Sequence, residues 1–138
     1  MLAAEPNNAL ARMNLGYLHL RQGAFGDAIE QLSRAIRLDN DRKATLYAHY
    51  YLGLVYLERG MLADAEGLLA TAVALGPNLI EAYHDLGRVQ WLAGRREEAA
   101  RSWSQGAAAS PRGPWAERCR ELLELASRGE EVLRFTSS

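Results

Sequence analysis

Cysteine occurs once, as Cys119, so no internal disulfide can hold this chain together. Apolar runs are short: stretches such as residues 70–75 fall far below the roughly 20 residues that a bilayer-spanning helix requires. Charge of one sign is also missing. Sixteen Lys and Arg are scattered among seventeen Asp and Glu, for a net charge of −1, so no basic field would draw in nucleic acid or an anionic membrane. The twelve glycines form neither a phosphate loop nor a dinucleotide-binding fingerprint. The three histidines, His19, His49 and His84, lie far apart with no Cys or carboxylate at ligand spacing, so no metal and no cofactor are expected. Cys119 falls on an apolar helical stripe and reads as a buried, inert thiol rather than a nucleophile. Asp85 adjoins His84, but neighbouring helical residues point apart, so the two are not expected to act as a dyad. No catalytic residue is identified, and the chain reads as a non-enzyme.

What is present is repetition within a length suited to one domain, 138 residues with 49% apolar content. Leu15-Gly16 is followed by Gly23, Ala28, Leu32 and Ala35. Leu52-Gly53 is followed at the same offsets by Gly60, Ala65, Leu69 and Ala72, and Leu86-Gly87 by Gly94, Ala99, Trp103 and Gly106. The second and third sets are 34 residues apart and the first and second 37 apart, while Pro6, Asn40, Pro77 and Pro111 each keep phase with the repeat before them. Three extra residues therefore lie between Asn40 and Leu52.

Each repeat reads as two helices. The periodicity places them over 9–22 and 26–38, 41–59 and 63–75, and 78–93 and 96–110, with a further helix over 114–127. Asn8 is the expected cap of the first, and Gly23 marks its end. The insertion around Asp41–Lys43 lengthens either the third helix or the loop before it, and the helix is the expectation. Gly16, Gly53 and Gly87 sit inside helices, where glycine costs about 1 kcal/mol relative to alanine. That cost is understandable if a partner helix presses there, and Ala28, Ala65 and Ala99 are the expected contacts.

On these residues the chain resembles the tetratricopeptide repeat over about residues 9–113. The resemblance implies an all-α fold, a right-handed α-solenoid of antiparallel helix pairs whose concave face is lined by the first helix of each repeat. The chain departs from the family pattern in several places. The aromatic three residues before Leu-Gly is Arg12 in the first repeat and His49 in the second, with only Tyr83 fitting. The tyrosine after the pair is His19, Tyr56 and Gln90, so only the second repeat agrees. The turn proline is replaced by Asn40, and Gly106 stands in place of alanine.

The expected organisation is the end of a preceding, truncated repeat or an N-terminal extension at 1–8, repeats at 9–42, 43–79 and 80–113, a capping helix at 114–128 and a loose tail at 129–138. Pro6 lies 34 residues before Asn40, so the sequence reads as opening inside a repeat. Trp115, Cys119, Leu122, Leu123 and Ala126 form the apolar stripe of the capping helix, as a solenoid end requires. Val132, Leu133 and Phe135 could dock the tail locally. Residues 1–6 carry no basic and apolar signal-peptide pattern, and a cytoplasmic protein or a piece of a larger one is the expectation.

Function must come from surfaces, not from the fold. On the first helices, the stripe turned away from the partner helix carries Leu10, Met13, Tyr17 and Leu20 in the first repeat. The second presents Tyr47, Tyr50, Leu54 and Leu57, with Tyr51 beside them, and the third Glu81, His84, Arg88 and Trp91. A face meant only for water would be polar. By the resemblance these positions look into a groove that binds a peptide or a partner helix, with Arg88 and His84 placed for an acidic or carbonyl contact. Leu20, Leu57 and Trp91 serve equally well as packing residues between repeats. Domains of this family that clamp a C-terminal carboxylate use several Lys, Arg and Asn on this face. Here only Asn14 and Arg88 suit, so that mode does not fit. The reading is a non-catalytic scaffold or adaptor for another protein or peptide, with no nucleic acid and no membrane among its partners. The alternative is a module that self-assembles through its open N-terminal edge.

Overall fold

The computed structural model describes residues 7–129, in which seven helices and no strand are found. The expected preceding-repeat end, the tail and its Val132, Leu133 and Phe135 fall largely or wholly outside those residues. The helices are α1 (Ala9–Arg21), α2 (Phe25–Leu38), α3 (Arg42–Glu58), α4 (Leu62–Leu75), α5 (Ile80–Leu92), α6 (Arg96–Ala109) and α7 (Pro114–Ser127). They group into two compact units, one ending at Leu75 and the other beginning at Gly76.

In the first unit α1 pairs with α2 and α3 with α4, while α2 and α1 both pack on α3. Asn8 caps α1 by accepting the Ala11 amide at 2.9 Å, as its side-chain oxygen suits it to do. The turns at Gly23 and Gly60 take φ of 76° and 75°, left-handed values that a side chain would resist. The insertion went into the helix: α3 has 17 residues against 13 in α1 and in α5. Asp41 caps its new start through Ala44 N at 2.9 Å. Asn40, which replaces the family's proline, donates from Nδ2 to the Asn7 carbonyl at 2.8 Å. The core of this unit gathers Ala9, Met13, Ala28, Leu32, Ala35, Ala44, Ala48, Leu52 and Val55.

The interior glycines do mark close helix contacts, but the side chain that fills each seat is not the expected alanine. A methyl built on Gly16 would lie 2.5 Å from Leu32 Cγ, and one on Gly53 2.8 Å from Leu69 Cγ, with the Ala65 carbonyl at 3.5 Å. The seat is taken one helical turn further along, because a helical side chain leans over the turn N-terminal to its own Cα. Ala28 and Ala65 remain fully buried; they let the backbones approach so that Leu32 and Leu69 can reach the glycine.

In the second unit α5 pairs with α6, and α7 packs on both. Here the seat at Gly87 takes the Trp103 indole, which also donates from Nε1 to the His84 carbonyl at 3.1 Å. Gly106 has its own reason. A methyl there would lie 2.7 Å from Cys119 Sγ and 3.0 Å from Tyr83 Cβ, so α6 must be bare where α7 and α5 close on it. Ser102 donates to Gln90 Oε1 at 2.6 Å in the interior, where Gln90 stands at the position Tyr56 fills one repeat earlier. No described helix is long and apolar enough to cross a membrane.

Candidate partner-binding surfaces

The first unit gathers four tyrosines, three of them around the ring of Tyr51. Tyr51 lies 4.7 Å from Tyr17, 5.7 Å from Tyr47 and 5.6 Å from Tyr50, centroid to centroid, with interplanar angles of 35°, 40° and 44°. These tilted contacts suit the ring quadrupoles better than a flat sandwich would. The geometry follows from helix spacing. Tyr47 and Tyr51 are four residues apart on α3, so their side chains share a face, and α1 delivers Tyr17 to the same place. Arg21, one turn beyond Tyr17, donates from Nη1 to its hydroxyl at 3.2 Å and holds its guanidinium 5.9 Å from the ring centroid.

The expected residues are not equally open. Tyr17, Tyr47, Tyr51 and Leu54 are half-buried and Asn14 is exposed. Met13 belongs to the core, and Tyr50 is only 6% exposed. Neither Met13 nor Tyr50 therefore offers an open side chain, and the accessible aromatic surface is that of Tyr17, Tyr47 and Tyr51.

The second unit carries a different surface. His84 and Arg88 are half-buried on α5, and both address the buried Asp85. The Asp85 carboxylate accepts from Arg88 Nη1 at 3.0 Å and from His84 Nδ1 at 3.1 Å. The expectation that His84 and Asp85 point apart is thus corrected: the short carboxylate needs an ion partner once buried, and the adjacent imidazole turns to supply a second donor. His84 also meets Trp115 of α7 edge-on, with centroids 5.1 Å apart, and Arg118 lies over the Trp115 ring at 4.6 Å. A cleft of about 290 Å³ opens beside them, lined by His84, Arg118, Glu121 and Leu122.

Trp91 is not an open anchor. It is 6% exposed in a buried cluster with Ala99, Trp103, Cys119 and Leu122, 5.8 Å from the Trp103 ring and with the Arg96 guanidinium 4.4 Å from its centroid. Its Nε1 and the Arg88 Nε are buried donors with no acceptor.

Trp115 and Arg118 were missed as candidates, although a signal was there. Carrying the 34-residue period past Pro111 maps Glu81 onto Trp115 and His84 onto Arg118.

Among the described residues no group of three His, Cys, Asp or Glu could hold a metal. Cys119 is fully buried. Its thiol is pushed up to about 11 by burial first and by the Asp85 carboxylate second, against a smaller opposing pull from Arg120. A protonated, enclosed thiol is a poor nucleophile.

Comparison with known proteins agrees with this architecture. A structure of MamA superposes with a TM-score of 0.79 at 28% identity, covering 93% of this chain and 71% of that one. The first tetratricopeptide domain of Spaghetti (RPAP3), solved bound to an HSP90 peptide, gives 0.75 at 20% identity over 88% and 91%. PilF of Pseudomonas aeruginosa gives 0.76 at 20% identity over 99% of this chain and 65% of that one. No curated protein sequence matches the chain. The tetratricopeptide repeat model matches residues 1–44 and 27–80, more than half of the length. With the Leu-Gly register realised as helix pairs seated on their glycines, the chain belongs to the tetratricopeptide repeat family.

Proposed function

We propose that this protein is a non-catalytic interaction module that takes a peptide or a partner helix on the first-helix faces of its repeats. The observation that carries the reading is the tyrosine cluster around Tyr51, three of whose four rings keep part of their surface in water. Half-buried tyrosines fixed by ring contacts are pre-ordered, so a ligand covering them loses little side-chain entropy, and such residues dominate binding energy where they occur.

In the second unit, Trp115 flanked by Arg118 and His84 forms a complementary polar and aromatic contact. The half-buried His84 and the exposed Arg118 suit main-chain carbonyls or an acidic side chain. The HSP90 peptide bound by one structural relative is a precedent for peptide recognition on this fold and assigns no ligand here.

A peptide-display library panned on the full chain supplies the test. Selected peptides should lose about 2 kcal/mol or more, roughly 30-fold in affinity, on a Tyr17→Ala/Tyr47→Ala variant. That variant should keep its helical melt close to the parent's. Peptides that bind parent and variant equally would refute the tyrosine surface. Tyr50→Ala is a poor substitute, because Tyr50 is buried and its loss would disturb packing.

A further inference from the structure

The imidazole of His84 joins a buried ion pair to an open cleft. Its Nδ1 lies 3.1 Å from the Asp85 carboxylate, which also accepts from Arg88 Nη1 at 3.0 Å. A carboxylate has only acceptors to offer, so Nδ1 must carry the proton of that bond. The other ring nitrogen, Nε2, makes no hydrogen bond among the described residues. The ring is fixed edge-on to Trp115, and the Trp103 indole anchors the His84 carbonyl behind it. The same residue lines the cleft of about 290 Å³ with Arg118, Glu121 and Leu122. With Nδ1 committed to Asp85, Nε2 is the polar side-chain atom that His84 has left for a ligand there.

A neutral ring with its proton on Nδ1 presents Nε2 as an acceptor, whereas a charged ring presents it as a positive donor. Histidine is the side chain whose charge ordinarily changes between about pH 5 and 8. The charged groups around His84 decide what that change does. On α5 the half-buried Glu81 lies one turn before it and Arg88 one turn after, with Asp85 alongside. Helix α7 brings Arg118 and Glu121, both exposed. Arg120 is turned instead to Glu117 and to the Ala107 and Ser110 carbonyls. The Cys119 thiol, pushed up to about 11, stays neutral. On the α6 side, residues 102–109 carry no charge. While His84 is neutral, three carboxylates (Glu81, Asp85 and Glu121) therefore stand against two guanidiniums (Arg88 and Arg118). An arriving anion meets a surplus of negative charge. Protonation of His84 cancels that surplus and places a charged donor at the cleft.

Given the second-unit contact proposed above, we infer that the α5–α7 cleft is a proton-controlled site for a glutamate side chain of a partner peptide, favoured when His84 is charged and disfavoured when it is neutral. The Trp115 ring and Leu122 offer an apolar wall for the methylenes of such a side chain. Its carboxylate meets His84 from α5 and Arg118 from α7, the latter held over Trp115 at 4.6 Å. Asp85 couples the two events. It keeps the imidazole oriented by its bond to Nδ1 in both states, so the ring changes charge without leaving its place.

Two blocked peptides, acetyl-tetraglutamate amide and acetyl-tetraglutamine amide, serve as probes of the full chain. Each is titrated at about pH 5.5 and about pH 8, with the Trp115 indole N–H followed by NMR. A peptide glutamate is ionised at both, since its carboxyl titrates at about 4.3. The acidic peptide should bind roughly tenfold tighter at the lower pH, the scale of one charge-assisted hydrogen bond. The glutamine peptide should show no such gain. His84→Gln cannot take a charge and should bind the acidic peptide equally at both. Calorimetry of the parent in buffers of different ionisation enthalpy needs no variant, and it should show protons taken up as the acidic peptide binds near neutral pH. Equal affinity of the parent at both pH values, with a clear Trp115 response, would overturn the proton control and leave the contact surface standing. A Trp115 response at neither pH would remove the second-unit contact and the proton control with it. A pH gain that survives in His84→Gln, or binding without proton uptake, would overturn the assignment to His84.

Discussion

Replacing Gly87 with alanine tests the seat on which the third helix pair is built. In an exposed helix the change should help, since alanine is favoured over glycine by about 1 kcal/mol. At Gly87 the new methyl would lie 2.2 Å from Trp103 Nε1, 2.5 Å from Cδ1 and 2.6 Å from Cε2. Those atoms belong to a rigid ring that is fully buried, so the clash cannot be relieved by swinging a flexible end aside. Either the indole shifts and loses its hydrogen bond to the His84 carbonyl, at about 1 kcal/mol, or α5 and α6 separate. Overpacking of this kind costs about 1–3 kcal/mol. Adding the terms and subtracting the propensity gain leaves a net loss of about 1–3 kcal/mol. Gly67 is the control: it lies inside α4, and a methyl there meets nothing within 4 Å. Gly67→Ala should therefore gain up to about 1 kcal/mol. Urea melts followed by far-UV circular dichroism read both changes. Equal stabilisation of the two variants would show that Gly87 is not under pressure from Trp103, and the packing argument would fail with it.

Two further outcomes follow from the second unit. Gly106→Ala restores the residue found at the equivalent Ala35 and Ala72, yet it should destabilise by up to about 2 kcal/mol, because Cys119 Sγ would lie 2.7 Å from the new methyl; Cys119→Ala in the same chain should recover most of the loss in the melt. With the Cys119 thiol raised from 9.0 to about 11, stability should be level below pH 9. It should then fall between pH 9 and 11, where the unfolded chain releases its proton first. Alkylation at pH 8 should be slower than for a free thiol by a factor on the order of a hundred, and labelling at the free-thiol rate would contradict the enclosed site.

The helix pairs were legible because their signal is steric and recurs. Gly16, Gly53 and Gly87 declare a close approach without naming what approaches. Ala28, Ala65 and Ala99 are small enough to be the expected contacts, but the leaning of helical side chains hands the seat to the residue four further on, Leu32, Leu69 and Trp103. The three-residue insertion was countable, and its absorption into α3 turned on Asp41, whose side chain could cap a helix starting at Arg42. At Gly106 the departure from alanine was visible while its cause was not. The contact with Cys119 belongs to a helix outside the repeat pattern.

The binding surface was less legible, because the same stripe of a first helix serves two purposes that sequence spacing alone does not separate. Met13 and Tyr17 are four residues apart on α1, yet one is core and the other half-open, and the same division parts Tyr50 from Tyr47 and Tyr51 on α3. What separates them is how near each lies to a neighbouring helix, a matter of tens of degrees around the helix axis. Leu18 makes the same point from the other side. Its sequence position matches a core valine, Val55, yet Leu18 is 53% exposed where Val55 is enclosed. In a repeat protein a residue's role is therefore set by its place in the repeat together with the presence or absence of the adjoining helix. An exposed residue at a core position is evidence of a missing contact in a way that an exposed leucine elsewhere would not be.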